Sequence, residues 1–199
     1  FLQAAYKEDK TLIKALQFGG HEITYQSWYG VEAEQLKTDR TANAYTYENE
    51  VDDYKQDHTQ LLWNQKITAN WDTNLALHYT RGRGFYEQFR EDDDFETYGF
   101  TPIVVDGEEV NTTDVIRRRW LDNDFYGAVF SANYRREKLN LIFGGGWNKY
   151  EGAHFGEIIW ARYASSSEIR DRYYDNDATK TDFNFYNKVL GYSKLKSFL

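Results

Sequence analysis

The sequence predicts an all-β protein, an antiparallel up-and-down meander of about seven or eight long strands. Three observations carry that expectation. Apolar residues recur at every second position over long stretches, most cleanly in "LNLIFGGGWNKYEG" from Leu139 to Gly152, which is the period of a strand with one apolar and one polar face. Aromatic residues make up 18% of the chain, with 17 Tyr and a single proline, a composition that favours strands. The segments joining these stretches alternate between short turns and long polar loops.

Taken in order, "FLQAAY" reads as a first strand, closed by the turn "KEDK". The second is "TLIKALQFGGHEITYQSWYG", Thr11 to Gly30, whose alternation slips phase: Leu12, Leu16 and Phe18 share one parity, Ile23, Tyr25 and Tyr29 the other. A bulge at Gly19-Gly20 would reconcile the two halves. A polar stretch over 31–56 leads to the third strand, "HTQLLWNQKI", and "TAN" turns into the fourth, Trp71 to Phe89. There Leu75, Leu77 and Tyr79 alternate with Asn74, Ala76 and His78. The connection 90–114 holds the proline and "VVDGEEV", which has the Asp-Gly signature of a small hairpin. Strand five, Ile116 to Tyr134, sets Tyr126, Ala128 and Phe130 against Gly127, Val129 and Ser131. "RREK" hands over to strand six, which starts at Leu139. After a third polar connection, 161–180, "TDFNFYNKV" is strand seven.

Sorting by face, Leu75, Leu77, Tyr79, Phe130, Leu139, Leu141 and Phe143 belong on one side of the sheet, and Asn74, His78, Asn140 and Asn148 on the other. Trp71, Tyr126, Tyr134 and Trp147 fall near strand ends.

Composition excludes several classes. No cysteine means no disulfide and no thiolate metal site. A net charge of −8 argues against a nucleic-acid binder that relies on phosphate contacts. No apolar run is long enough for a transmembrane helix, a test that a transmembrane β-barrel escapes because its strands alternate. Strand-like alternation begins at Phe1 without a leading methionine, so the chain reads as a piece of a longer one.

In a meander, successive connections lie at opposite ends of the sheet. Strict short–long alternation therefore gathers all tight turns at one end and all long loops at the other. Soluble sandwiches with Greek-key crossovers have no reason to sort loops in this way, whereas outer-membrane barrels pair short periplasmic turns with long extracellular loops. Strand lengths also reach or pass the roughly 9–11 residues that cross a bilayer. Lipid on one face and water on the other reconcile half-apolar strands with a mean hydropathy of −0.81. The alternatives are a soluble or surface-exposed aromatic-rich β-sandwich that binds carbohydrate, and a β-rich hydrolase, for which no convergent carboxylate pair is evident.

No enzyme motif or cofactor signature stands up. "GGG" at Gly144 lacks the Lys-Ser/Thr of a phosphate loop, "HEI" at His21 lacks a second histidine four residues on, and "DNDATKTD" lacks the glycine and glutamate of a calcium loop. In "RRRWLDND", Arg117 and Arg119 share a face, with Asp122 and Asp124 opposite; the arginines suit an anionic ligand, or else ion pairs with "EQFREDDD" on the preceding strand. Trp28 and Trp160 lie near the long-loop end, where they suit either stacking on a ligand or a place in the rim. These four, Trp28, Arg117, Arg119 and Trp160, are the candidate ligand-binding residues. No catalytic or metal-binding residue is assigned.

Five blocks, "GHEITYQSWYG", "DHTQLLWNQKI", "IRRRWLDNDFYG", "GGGWNKYEGAHFGEIIWARY" and "RDRYYDNDATKTDFNFYNK", together resemble the middle of the barrel of TonB-dependent outer-membrane receptors of the type found in Bacteroides-like bacteria. The resemblance runs from about Leu12 to Lys188. It implies that residues 1–199 are an open, curved segment of a 22-stranded outer-membrane β-barrel without its plug domain. It further implies a Gram-negative outer-membrane location, contact with outer-membrane lipid, and active uptake of a scarce small-molecule nutrient such as an iron chelate, haem, cobalamin or a glycan. The TonB complex would act through the missing plug. After Lys188, "VLGYSKLKSFL" departs from the family pattern.

Overall fold

In the computed structural model, residues 1–165 and 170–191 are described. The strands are β1 (Leu2–Glu8), β2 (Thr11–Tyr25), β3 (Val51–Lys66), β4 (Trp71–Asp94), β5 (Ile103–Val105), β6 (Glu108–Val110), β7 (Thr112–Arg136), β8 (Leu139–Ala161) and β9 (Arg172–Gly191). A short helix, Ala33–Thr38, and a 3₁₀ turn, Phe95–Tyr98, complete the elements. Seven strands form one antiparallel sheet in the order β1-β2-β3-β4-β7-β8-β9, an up-and-down meander that leaves β1 and β9 as edges. The sheet does not close on itself. The hairpin expected in "VVDGEEV" is β5–β6, turned at Asp106 (φ 49°) and Gly107 (φ 89°), the left-handed pair that a two-residue hairpin needs.

The loops are sorted as expected, with tight turns after β1, β3 and β7 at one end and long connections after β2, β4 and β8 at the other. Their bounds need correction. The long segments are 26–50, 95–111 and 162–171, because β3 begins at Val51, β4 runs on to Asp94, β7 begins at Thr112 and β9 begins at Arg172. Polar "VDDYKQD" and "RYYDNDATK" join the ladder because strand hydrogen bonds are made by backbone. Their side chains lose apolar alternation, and that loss hid the strands. Strand two ends early, at Tyr25, where the Gln26 N–H turns to the Glu50 carbonyl at 2.8 Å. Residues 166–169 of the third loop and most of the departing "VLGYSKLKSFL" lie outside the described residues.

The bulge expected at Gly19-Gly20 is absent. Pairing of β2 with β3 is unbroken from Thr11↔Gln65 to Tyr25↔Val51. Leu12, Leu16 and Phe18 therefore face the opposite side from Ile23 and Tyr25. Phe18 is accommodated there by stacking on His58, with ring centroids 4.7 Å apart. Register shifts occur instead toward the long-loop end, between Arg90 and Asp93, beside Ile116/Arg117 and beside Gly156/Glu157.

Register across the sheet confirms the face assignment. Ile13, Trp63, Leu75, Phe130, Gly145 and Phe185 are successive partners, and so are Ala15, Leu61, Leu77, Ala128, Trp147 and Phe183. Asn74, His78, Asn140 and Asn148 fall on the other face. Among the described residues no second sheet covers the apolar face, and Leu61, Leu77, Phe130 and Trp147 are about 40% exposed. Among the described residues the one buried hydrophobic cluster lies at the long-loop end, where Phe95, Tyr98 and Phe100 pack on Val115 and Ile158, with Tyr173 beside them. The 95–111 segment thus folds back over the polar face and caps its upper end.

Candidate functional site

Two neighbouring regions of the sheet are chemically distinct. On the apolar face, the row Trp71–Tyr134–Leu141–Val189 marks the tight-turn limit and the row Thr59–Tyr79–Tyr126–Lys149 the other. Trp71 and Tyr134 are ring neighbours at 4.9 Å, and Tyr126 meets Trp147 edge-on at 5.9 Å. Trp147 thus sits one row inside the band and not at its rim. From Trp71 to Tyr79, a rise of about 3.3 Å per residue gives roughly 26 Å along the strand. The band is not uniformly apolar, since Gln65, Thr73 and Asn187 share one of its rows.

The next rows on this face are charged. Arg81 bridges Asp122 and Asp124, Arg83 lies 3.4 Å from Asp122, and Lys149 pairs with Glu151 at 2.6 Å. Beyond them Phe85, Trp120 and Phe155 form an aromatic row, with Arg118 over Phe85 and Arg172 over Phe155. Arginine suits these places because its planar, weakly hydrated cation stacks on a ring while its edge still meets a carboxylate.

The polar face carries the candidate site. In its upper half the row Thr24–Asp52–Tyr86–Arg119–Gly156–Tyr174 runs across β2, β3, β4, β7, β8 and β9. A cleft of about 880 Å³ opens over this row and the next one down, which holds Glu22, Tyr54 and His154. Two glycines let tyrosine rings pack close against the strands here. A Cβ at Gly84 would run into the Tyr54 ring and the Asp53 backbone, and one at Gly156 into the rings of Tyr173 and Tyr174. Trp28, from the 26–50 loop, closes the lip by meeting Tyr86 edge-on at 4.9 Å. Arg119 donates from Nε to the Tyr174 hydroxyl at 3.2 Å and lies over the rings of both Tyr86 and Tyr174.

Of the four residues proposed from sequence, Trp28 and Arg119 therefore line one cleft. Arg117 occupies the next polar-face row, under the cap. It donates to Tyr98 Oη at 3.1 Å and Gln88 Oε1 at 3.3 Å, and stands 3.6 Å from Asp93. The structure sets Trp160 apart: paired beside Ile116 it lies on the opposite face, 45% exposed. The ion pairs expected between "RRRWLDND" and "EQFREDDD" exist for Arg118 with Glu87 and Arg117 with Asp93, while Asp122 and Asp124 turn to Arg81 and Arg83. Sequence reading missed Asp52, Tyr86 and Tyr174, two of them because they lie in stretches read as loop. Counting register upward from the apolar band would have placed all three.

Protonation at this end follows burial and charge. Burial, then Glu22 and Asp53, raises the Asp52 carboxyl. Burial and the Asp93 hydrogen bond raise the Tyr98 hydroxyl, and burial pushes Tyr173 up to about 12. The histidines do not converge: His21 meets Asp53, His58 meets Thr80, His78 meets Asn148 and His154 meets Tyr150. Among the described residues no group of three or more His, Asp or Glu is placed to hold a metal ion.

Comparison with protein-family models, with curated proteins and with solved structures finds no match to this chain.

Proposed function

We propose that this chain is wall from a large outer-membrane β-barrel, a TonB-dependent receptor that takes up a scarce small-molecule nutrient. The observation that carries the reading is the uncovered apolar band, bounded by aromatic pairs at both limits, on a sheet whose long loops all lie at one end. Tilted by roughly 40°, as barrel strands are, a 26 Å length projects to about 20 Å, close to the roughly 25 Å apolar height of outer-membrane barrels. The other face, with Asn74, His78 and Asn148 at the same level, suits a water-filled interior. The long-loop end then faces outward, with the cleft just inside the mouth where an incoming ligand would first meet the wall. Neighbouring strands of a 22-stranded ring would cover both open edges, which as they stand invite pairing with other chains. A cleft of aromatic rings with Arg119 on one side and Asp52 and Glu22 on the other suits holding a small polar ligand on its way in.

The test is depth-resolved quenching in bilayers with brominated acyl chains. Single-tryptophan variants retaining Trp63 or Trp147 should be strongly quenched, and one retaining Trp28 should not be. Equal quenching of Trp147 and Trp28, or none of either, would sink the membrane assignment. A folded, monodisperse, detergent-free monomer would favour a soluble carbohydrate-binding protein instead.

A further inference from the structure

We propose that the cleft beneath Trp28 binds a short zwitterionic peptide, its carboxylate on Arg119 and its ammonium between Asp52 and Glu22. This deepens the uptake reading by naming a ligand class, and rests on it only in taking the polar face as the water-filled side.

The starting point is an imbalance of charge. Arg81, Arg83, Arg90, Arg117 and Arg118, the neighbouring arginines of β4 and β7, each have a carboxylate within ion-pair distance. Arg119 has none among the described residues. Its neighbours are the Tyr174 hydroxyl and two tyrosine rings, which orient the guanidinium without neutralising it. Across the same cleft the opposite imbalance holds. Among the described residues Asp52 lies near Glu22 and Asp53 with no cation paired to it, and the Glu22 carboxylate accepts only the Thr24 hydroxyl, at 2.6 Å. Asp53 does not compensate, since its side chain pairs with His21 at 2.6 Å.

These unpaired charges do not cancel each other. Asp52 and Arg119 stand on strands two apart with Tyr86 between them, so their backbones are roughly 10 Å apart at about 4.8 Å per strand step. A peptide of two or three residues spans about 7–11 Å at roughly 3.5 Å per residue. Its two ends therefore match the two charged walls. Tyr86 and Trp28 supply an apolar surface for what lies between. A guanidinium fork is the group best shaped for a terminal carboxylate, and a pair of carboxylates is the natural seat of an ammonium. A neutral sugar would leave both charges unanswered, and a simple anion would meet the Asp52–Glu22 wall.

The test uses the whole chain refolded in detergent micelles, titrated calorimetrically with trialanine bearing free ends, an acetylated amine, an amidated carboxyl, or both blocks, and with maltotriose. Free-ended trialanine should bind, and blocking either end should weaken it at least roughly tenfold, the scale of one lost charge-assisted contact. Arg119→Gln should erase the preference for a free carboxyl while keeping that for a free amine. Asp52→Asn with Glu22→Gln should do the reverse, and Arg119→Lys should retain part of the carboxyl preference. Equal binding of all four peptides would overturn the proposal. So would loss on amidation alone, which marks an anion site, preference for maltotriose, or no binding. Quenching of Trp63 and Trp147 by brominated lipid, read on the same preparations, separates the two readings. Quenching retained with peptide discrimination absent overturns only the cleft assignment, whereas absent quenching overturns the barrel wall.

Discussion

Tyr47 donates its hydroxyl to Glu87 at 2.7 Å, tying the C-terminal end of the 26–50 loop to strand β4 forty positions away. Glu87 is the anchor of that loop. It also accepts from Asn49 Nδ2 at 2.7 Å and from Arg118 Nε at 2.6 Å, and its side chain is only 3% exposed. Gln26 fastens the other end of the loop by donating to the Val51 and Glu87 carbonyls at 2.8 and 3.0 Å. The lip of the cleft, with Trp28, hangs on these bonds.

Replacing Glu87 by alanine should therefore loosen the loop. It strands the Arg118 cation and two neutral donors, a class of change that costs about 3–5 kcal/mol when a pair is well buried. The loss should be local. Amide exchange should speed up across 26–50 while the rows from Trp71 to Tyr79 keep their protection, and unchanged exchange in the loop would refute the anchor.

The same anchor should respond to pH at both extremes. Although burial opposes ionisation, hydrogen bonds from Asn49, Tyr47 and Arg118 hold the Glu87 carboxyl below its usual range, and those from Tyr98 and Arg90 do the same for Asp93. A depressed carboxyl pKa stabilises the fold above the unfolded value, near pH 4, and that contribution fades as pH falls through the folded value. For Tyr47 the sign reverses. Burial and Glu87 push its hydroxyl up to about 12, so its contribution is full below the ordinary tyrosine value near 10 and is lost as pH rises toward 12. Proteolytic nicking of 26–50 should thus stay slow from about pH 5 to 9 and accelerate outside it, with Tyr47→Phe flattening the alkaline limb.

On the apolar face, Leu75 lies in the middle row of the band, between Trp63 and Phe130. Leu75→Arg should cost about 2–4 kcal/mol for folding in a bilayer, the penalty of an arginine at the midplane. Asn74→Arg, one residue away but on the polar face, loses a 3.1 Å hydrogen bond to Ser131 and should cost only about 1 kcal/mol. Equal costs in reversible unfolding from lipid would contradict the two-faced wall.

Gly127 permits a bridge across three strands. His78 on β4 and Asn148 on β8 are hydrogen-bonded at 2.9 Å, passing over Gly127 on β7 between them. A Cβ at Gly127 would meet the Trp147 carbonyl oxygen, Asn148 Oδ1 and His78 Nε2, the first of which is backbone and cannot step aside. Gly127→Ala should destabilise by about 1–3 kcal/mol, the usual cost of overpacking. Because the bridge is already broken, adding His78→Ala to Gly127→Ala should cost less than His78→Ala alone in a double-mutant cycle.

Much of this architecture was legible in the sequence, and the reason is local. Alternation in 71–79, 126–134 and 139–147 fixes which side chains share a face, because successive residues of a strand point to opposite sides. Turn chemistry at "KEDK", "RREK" and the Asp106-Gly107 hairpin fixes antiparallel order. The sequence also placed Arg117 and Arg119 on one face, opposite Asp122 and Asp124. What it concealed lies above the apolar band, where polar and charged residues stand on both faces and polarity no longer reports direction. There "VDDYKQD" and "RYYDNDATK" are strands held by backbone bonds, so Asp52 and Tyr174 were read as loop. The phase slip in β2 suggested a bulge at Gly19, yet partner register keeps that strand straight and sends Phe18 to stack on His58. Tertiary structure alone decided that Arg119 goes unpaired beside tyrosines while Arg117 and Arg118 find carboxylates, and that Trp28 joins the cleft while Trp160 turns away. Those outcomes depend on contacts between strands and loops far apart in sequence. No local pattern encodes them, because each is fixed only when the register of the whole sheet is set.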